Sequence, residues 1–210
     1  MTAIKENLEE LNLELRNALP EQIVRWALKQ GNKAIVTTNF RPYEAAILHA
    51  CTQVSPAIDV IWCDTGYNTP NTYKCAQQII DQLNLKIDLF VPQQTSAFRD
   101  ALMGIPSVED DNHTEFTRQV KLEPFQRAMQ KHRPDIWFTN LRKGQTALRD
   151  KLDILSFGSD GVLKVSPFYY YSDEDLDTYL LEHNLPNEFK YYDPTKALEN
   201  RECGLHTLVK

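Results

Sequence analysis

Four stretches of this 210-residue chain hold residue types that do chemistry. Near the C-terminus, Arg201-Glu202-Cys203-Gly204-Leu205-His206 sets a cysteine in polar surroundings. Free cysteines favour interiors, so a thiol there, between Arg201 and His206, reads as a nucleophile whose thiolate those cations favour below the usual pKa of about 8.5. The second stretch, Leu141-Arg142-Lys143-Gly144-Gln145 with Arg149 beyond it, gathers three cations and an amide. Arginine offers a planar fork to oxyanions and lysine a point charge, which suits a phosphate or sulfate group. A solvated basic loop has the same composition. Lys121 and Arg127 join the cluster if their helix start faces the same cleft.

The third stretch, Thr37-Thr38-Asn39 followed by Phe40-Arg41-Pro42, joins a strand pattern to a helix pattern. Backbone N–H groups at such a junction attract anions, although Thr38 or Asn39 serves equally as a plain helix cap. The fourth, Cys63-Asp64-Thr65-Gly66, ends another strand pattern. There Asp64 is suited to accept from an adenine amine or ribose hydroxyl, and Gly66 lets the backbone come close; an aspartate that merely builds the turn fits as well. Neither G-x-x-x-x-G-K-[ST] nor G-x-G-x-x-G occurs, which disfavours P-loop and dinucleotide-binding chemistry. Cys51 and Cys75 occupy apolar helix positions and Cys63 a strand end, so all three read as packing residues. The histidines at 49, 113, 132 and 183 have no metal-ligand spacing, so no metal site is assigned.

The elements that must position these residues follow from hydrophobic periodicity. Ile4, Leu8, Leu11, Leu15 and Leu19 predict a helix over 4–19. Pro20 opens a second helix that Gly31 closes, and residues 1–31 form an N-terminal helical cap. From there, strands are predicted at 34–38, 59–63, 86–91, 136–139 and 163–167. Helices are predicted from the 39–42 turn to about Cys51, over 70–83, near 96–103 and over 123–132, with 104–117 as a loop. Ser172-Asp-Glu-Asp175 is a capping pattern that opens a last helix. Short apolar strands alternating with helices predict an α/β fold with a mostly parallel sheet and helices on both faces. One such domain spans 1–183, and 184–210 is a polar tail carrying Cys203. An open parallel sheet binds ligand beyond the carboxyl ends of its strands, where three of the four stretches lie.

Composition bounds the rest. Hydrophobic residues make up 42% and charged residues 25%, a globular rather than disordered balance. The net charge of −6 argues against a nucleic-acid protein held by bulk charge, though not against a local basic pocket. No apolar run approaches the ~18 residues of a membrane span, and the opening MTAIKENLEELN has no signal-peptide core. The expectation is a soluble, cytoplasmic protein with no membrane partner. Cysteines at 51, 63, 75 and 203 form no close pair, which argues against a disulfide scaffold, a zinc ribbon or a four-cysteine iron–sulfur motif.

With these stretches assembled, the chain resembles the phosphoadenylyl-sulfate (PAPS) reductase family, adenine-nucleotide α-hydrolase-like proteins with a Rossmann-like sheet. The matching pieces run in family order: AIVTTNF (34–40), CDTGYNTPNTY (63–73), VKLEPFQRA (120–128), WFTNLRKGQ (137–145), GVLKVSPF (161–168) and RECGLH (201–206). The last is the most specific, because it carries the family's essential cysteine. The resemblance implies that the Cys203 thiolate attacks the sulfur of PAPS, releases adenosine 3′,5′-bisphosphate and leaves an S-sulfocysteine. Thioredoxin or glutaredoxin then releases sulfite. It implies substrate contacts from Thr37, Thr38, Asn39, Lys121, Arg142, Lys143, Gln145, Arg149, Arg201 and His206, with Asp64, Thr65 and Gly66 beside the nucleoside. Relatives that use adenylyl sulfate generally hold a four-iron cluster on paired cysteines, which are missing here. That favours the cluster-free, thioredoxin-dependent type, and relatives are often homodimers.

Two departures stand out: the first turn reads NFRPYE where relatives have a small or glycine-containing loop, and the serine/glycine/threonine turn that relatives carry before E-C-G-L-H is absent. Three rival readings are a cluster-free adenylyl-sulfate reductase, an ATP-pyrophosphatase-like adenylating enzyme, and a nucleotide-binding protein without turnover. The adenylating enzyme requires a glycine-rich turn after the first strand and leaves Cys203 idle. The binding protein requires a Cys203 that is never sulfonated.

Overall fold

In a computed structural model, residues 1–107, 109–158 and 160–195 are described. The 4–19 periodicity is split into α1 (Thr2–Glu6) and α2 (Leu8–Leu15). The break falls at Asn7, whose side-chain amide donates to the Ala3 carbonyl at 3.0 Å and so competes with the helix ladder. Pro20 opens α3 (Pro20–Ala27) as expected, but Gly31 is not its cap, since the helix ends at Leu28. Gly31 instead allows close approach: a Cβ there would stand 2.8 Å from the Asp135 Cβ.

The predicted alternation follows: β1 (Ala34–Thr38), α4 (Glu44–Val54), β2 (Asp59–Cys63), α5 (Pro70–Leu83), β3 (Ile87–Phe90) and α6 (Ser96–Met103). The expected 104–117 loop is helical at its end. There α7 (His113–Thr117) runs into a wide π-type turn (Arg118–Leu122) and then α8 (Glu123–His132). After β4 (Ile136–Phe138) and a 3₁₀ turn (Arg149–Lys151), a strand that periodicity did not reveal, β5 (Leu155–Phe157), precedes β6 (Leu163–Val165) and α9 (Asp173–Glu182).

The sheet order is β3-β2-β1-β4-β6-β5. Every pair is parallel except β5 with β6. Three-residue β5 sits at an edge, and Asn12 of α2 covers it like a further strand. The Asn12 amide donates to Leu155 O at 3.1 Å and accepts from Leu155 N at 2.7 Å. An edge treated this way has fewer open backbone groups to offer another chain.

Successive strand residues face opposite sides, so the two halves of the core can be read from neighbours. Val36, Val60, Ile136 and Phe138 pack in the larger cluster with α3, α4, α5 and α9. Ile35, Ile61 and Trp137 pack beneath Phe125, Ala128 and Met129 of α8. Both faces are therefore covered, which is why the central strands are apolar on both sides. Residues 184–195 continue from α9 across the carboxyl end of the sheet. Tyr43 N donates to the Asn187 amide oxygen at 2.9 Å, Thr69 Oγ1 donates to Lys190 O at 3.0 Å, and Asp193 and Thr195 are buried. Among the described residues, no helix is long and apolar enough to cross a membrane.

Candidate active site

β1 lies between β2 and β4; the chain passes from β1 to β2 on one hand and from β4 towards β5 and β6 on the other, so the strand order reverses between β1 and β4. This switch point opens a crevice at the strands' carboxyl ends. The cleft there has about 660 Å³ of space, mouth included, and its walls come from β1, β4, α4, α8, the π-type turn and the 3₁₀ turn.

The first wall is the turn after β1. Thr37 Oγ1 accepts from the Trp137 indole at 2.8 Å, Thr38 Oγ1 accepts from Phe40 N at 3.0 Å, and Asn39 Oδ1 accepts from Arg41 N at 3.2 Å. Phe40 and Tyr43 take left-handed backbone (φ 52° and 69°) without being glycine. Such positions store strain and are common at ligand-binding turns. Arg41 ties this turn across the cleft, its guanidinium donating to Glu44 Oε1 at 2.8 Å and to the Asn140 carbonyl at 2.8 Å. Burial pushes the Glu44 carboxyl above its ordinary pKa, with the Arg41 charge and hydrogen bonds opposing it. Asn140 donates to Tyr43 O at 3.3 Å and leaves its amide oxygen without a partner among the described residues.

Lys121 and Arg149 supply buried positive charge. The wide turn between α7 and α8 delivers Lys121, consistent with the use of π geometry at functional sites. Its ammonium donates to Asp193 Oδ2 at 2.5 Å. Burial opposes ionisation of Asp193, but the Lys121 charge and hydrogen bonds from Lys121 and Thr195 win and hold its pKa low. Arg149, on the 3₁₀ turn, donates to the Gln145 amide oxygen, and its carbonyl accepts from Tyr169 OH at 2.8 Å. Cys63 also lines the cleft, where burial pushes its thiol up to about 12 despite Lys121 and Arg127, which disfavours the nucleophilic thiolate.

Of the sequence candidates, Thr37, Thr38, Asn39, Lys121 and Arg149 line this one cleft. Arg142, Lys143 and Gln145 are not in its wall. Arg142 pairs with Asp173 at 2.6 Å and lies 5.2 Å over the Tyr43 ring, while Lys143 lies 5.7 Å over the Tyr170 ring. Gln145 links the two arginines by accepting from Arg142 N at 3.2 Å and from the Arg149 side chain. Arg127 is turned to Glu123 at 2.6 Å and to the Val91 carbonyl.

Asp64 spends its carboxylate within its own turn, accepting from Gly66 N at 3.0 Å, Asn68 Nδ2 at 3.1 Å and Tyr73 OH at 3.0 Å. Gly66 has φ 81°, which is why a glycine stands there, and Thr65 is buried with its hydroxyl accepting from Tyr67 N at 3.3 Å. Sequence reasoning missed Glu44, Trp137, Asn140 and Asp193. The signals available were the acid inside the unusual NFRPYE turn for Glu44 and the WFTNLRKGQ motif for Trp137 and Asn140. Cys203, Arg201 and His206 lie outside the described residues.

Comparison with known proteins bears on what this cleft serves. Residues 33–192 match the phosphoadenosine phosphosulfate reductase domain. The phosphoadenosine 5′-phosphosulfate reductase of Synechococcus sp. is 34% identical over 191 residues, covering 89% of this chain and 81% of that protein. Its Xylella fastidiosa counterpart is 32% identical over an alignment of 230 positions, covering 96% and 94%. In fold, the chain is similar to the phosphate-bound phosphoadenylyl-sulfate reductase of Candida auris, with a TM-score of 0.76 at 24% identity over 87% of this chain and 88% of that one. The match through all six strands, and the long coverage of both relatives, mean that this chain belongs to the phosphoadenosine phosphosulfate reductase family.

Proposed function

We propose that the chain reduces 3′-phosphoadenylyl sulfate to sulfite and adenosine 3′,5′-bisphosphate, with Cys203 as the nucleophile. The observation that carries this reading is the cleft at the β1/β4 switch point, where Lys121, Arg149 and the Thr37–Asn39 turn converge in a chain of this family. Arg149 and Lys121 neutralise substrate oxyanions, and the hydroxyls and amide of the β1 turn orient them. The Cys203 thiolate attacks the sulfonate sulfur. An S–S bond forms as the S–O bond to phosphate breaks, and the bisphosphate leaves with that electron pair. A thiolate of thioredoxin or glutaredoxin then attacks the Cys203 sulfur, which expels sulfite and leaves a mixed disulfide; the donor's second thiol resolves it.

No step runs through a metal or an iron–sulfur cluster, in keeping with the lone spacing of the four cysteines. Thiol donors of this kind work in reducing compartments, which supports a cytoplasmic location, and the reading includes a homodimer. Intact-protein mass spectrometry tests it. Reduced protein is incubated with PAPS, and separately with adenylyl sulfate, without a thiol donor. The expected result is one added sulfonate with PAPS, mapped to Cys203, removed by thioredoxin and absent from Cys203→Ser. An adduct formed preferentially with adenylyl sulfate would favour that substrate instead. No adduct with either donor, in protein that still binds adenosine bisphosphate, would favour a binding protein without turnover.

A further inference from the structure

Lys121 is already occupied by an anion belonging to its own chain. Asp193 presents Oδ2 to the ammonium at 2.5 Å, and Thr195 Oγ1 lies 3.4 Å from the same nitrogen. The other carboxylate oxygen, Oδ1, accepts from Thr195 N at 3.0 Å and from the Thr195 hydroxyl at 2.6 Å. An Asp-Pro-Thr turn thus offers the lysine a carboxylate oxygen with a hydroxyl beside it, much as a bound oxyanion would offer its own oxygens. The pair has lost nearly all its water, with side-chain exposures of 7% for Lys121 and 4% for Asp193.

The turn that brings Asp193 is not part of a helix or strand. Residues 184–195 are held by contacts such as Asn187 to the Tyr43 backbone and Lys190 to Thr69, and end on this ion pair. A desolvated ion pair is poor at stabilising a fold, because the mutual attraction mainly offsets the lost hydration. An incoming anion of higher charge is drawn to the same lysine more strongly, against the cost of shedding its own water, so the two anions compete for one contact. Elsewhere in the cleft the same pattern recurs, with Arg41 paired to Glu44. Two cationic side chains of the wall are therefore matched by internal carboxylates.

We infer that Asp193 is an internal competitor for the substrate's anion site, so that the nucleotide binds by exchange. An oxyanion takes the Lys121 contact and the Asp193–Thr195 turn leaves it. This rests on the reading above, in which Lys121 contacts substrate oxyanions. Asp193 thereby sets substrate affinity in the family's reaction, because observed binding is intrinsic binding scaled by the fraction of molecules whose turn is displaced. It also ties occupancy of the cleft to a segment only ten positions before Cys203 in the chain. A positioning role, in which Asp193 merely holds Lys121 ready, predicts the opposite sign for its removal.

Calorimetric titration of the full-length protein with adenosine 3′,5′-bisphosphate separates the two. Asp193→Asn keeps the turn's shape while removing the competing charge, and exchange predicts about tenfold tighter binding. Equal or weaker binding by that variant overturns the inference. A second measurement uses unaltered protein and stands even if the variant does not fold. Backbone amide hydrogen exchange in peptides covering 189–195 is expected to speed up when ligand saturates the cleft, and slower or unchanged exchange overturns it. If the unaltered protein does not bind the nucleotide, the substrate reading fails first and takes this inference with it.

Discussion

Glu44 combines burial, charge and a place in the cleft wall, and its titration is directly testable. Its folded pKa lies above its ordinary value because burial disfavours the carboxylate, with Arg41 only partly compensating. A carboxyl of this kind binds its proton more tightly folded than unfolded. Its contribution is fully present below the unfolded value of about 4.3 and is lost as pH rises through the folded value. The free energy of unfolding, followed in urea between pH 4 and about 8, is expected to fall more steeply in the unaltered protein than in Glu44→Gln. Parallel profiles would mean that Glu44 is ionised in both states. At the same scale, the sequence displayed the right cations but not where they point. Lys121 and Arg149 reach the cleft, whereas Arg142 is drawn to Asp173 and Tyr43, partners about 30 and 100 residues away that no spacing rule connects to it.

Among the elements, those with strong local signals formed where the pattern put them. Ser172 caps α9: its hydroxyl accepts from Asp175 N at 3.1 Å, and the Asp175 carboxylate accepts from Ser172 N at 2.8 Å. Ser172→Ala is expected to lower stability by about 1 kcal/mol in chemical denaturation, and a loss near zero would show that the cap is redundant. Gly31→Ala is expected to cost ~1–3 kcal/mol through overpacking, because the new methyl would meet the Asp135 Cβ at 2.8 Å and Ile136 side-chain atoms at 3.2 and 3.3 Å. An unchanged melting temperature for that variant would mean that the α3–β1 connection yields freely. β5 is a strand through its partners, the neighbouring antiparallel β6 and the distant Asn12, rather than through any pattern in its own three residues.

Across the whole molecule, the net charge of −6 coexists with a cleft whose buried cations attract anions. Adenosine 3′,5′-bisphosphate at about 100 times its dissociation constant is expected to stabilise the chain by about 2.7 kcal/mol, or roughly 5–10 °C in melting temperature. The gain is expected to shrink as salt rises from about 0.05 to about 0.5 M, because screening weakens the cation–phosphate attraction. A salt-independent shift would point to binding through the base rather than the phosphates. No shift at any ligand concentration would remove the cleft as the nucleotide site.

By itself, the sequence determined the α/β alternation, the strand ends where ligand chemistry collects, and the family through short motifs such as CDTGYNTPNTY and RECGLH. Those are properties of neighbours along the chain, where periodicity, turn chemistry and capping act over a few residues. The tertiary structure alone decided that Arg41 reaches the Asn140 carbonyl, that Arg142 turns to Asp173, and that Asp193 sits on Lys121. Each of those depends on the direction of side chains and on which distant groups come together. Such pairings are set by packing of the whole chain and leave no periodic trace in the order of its residues.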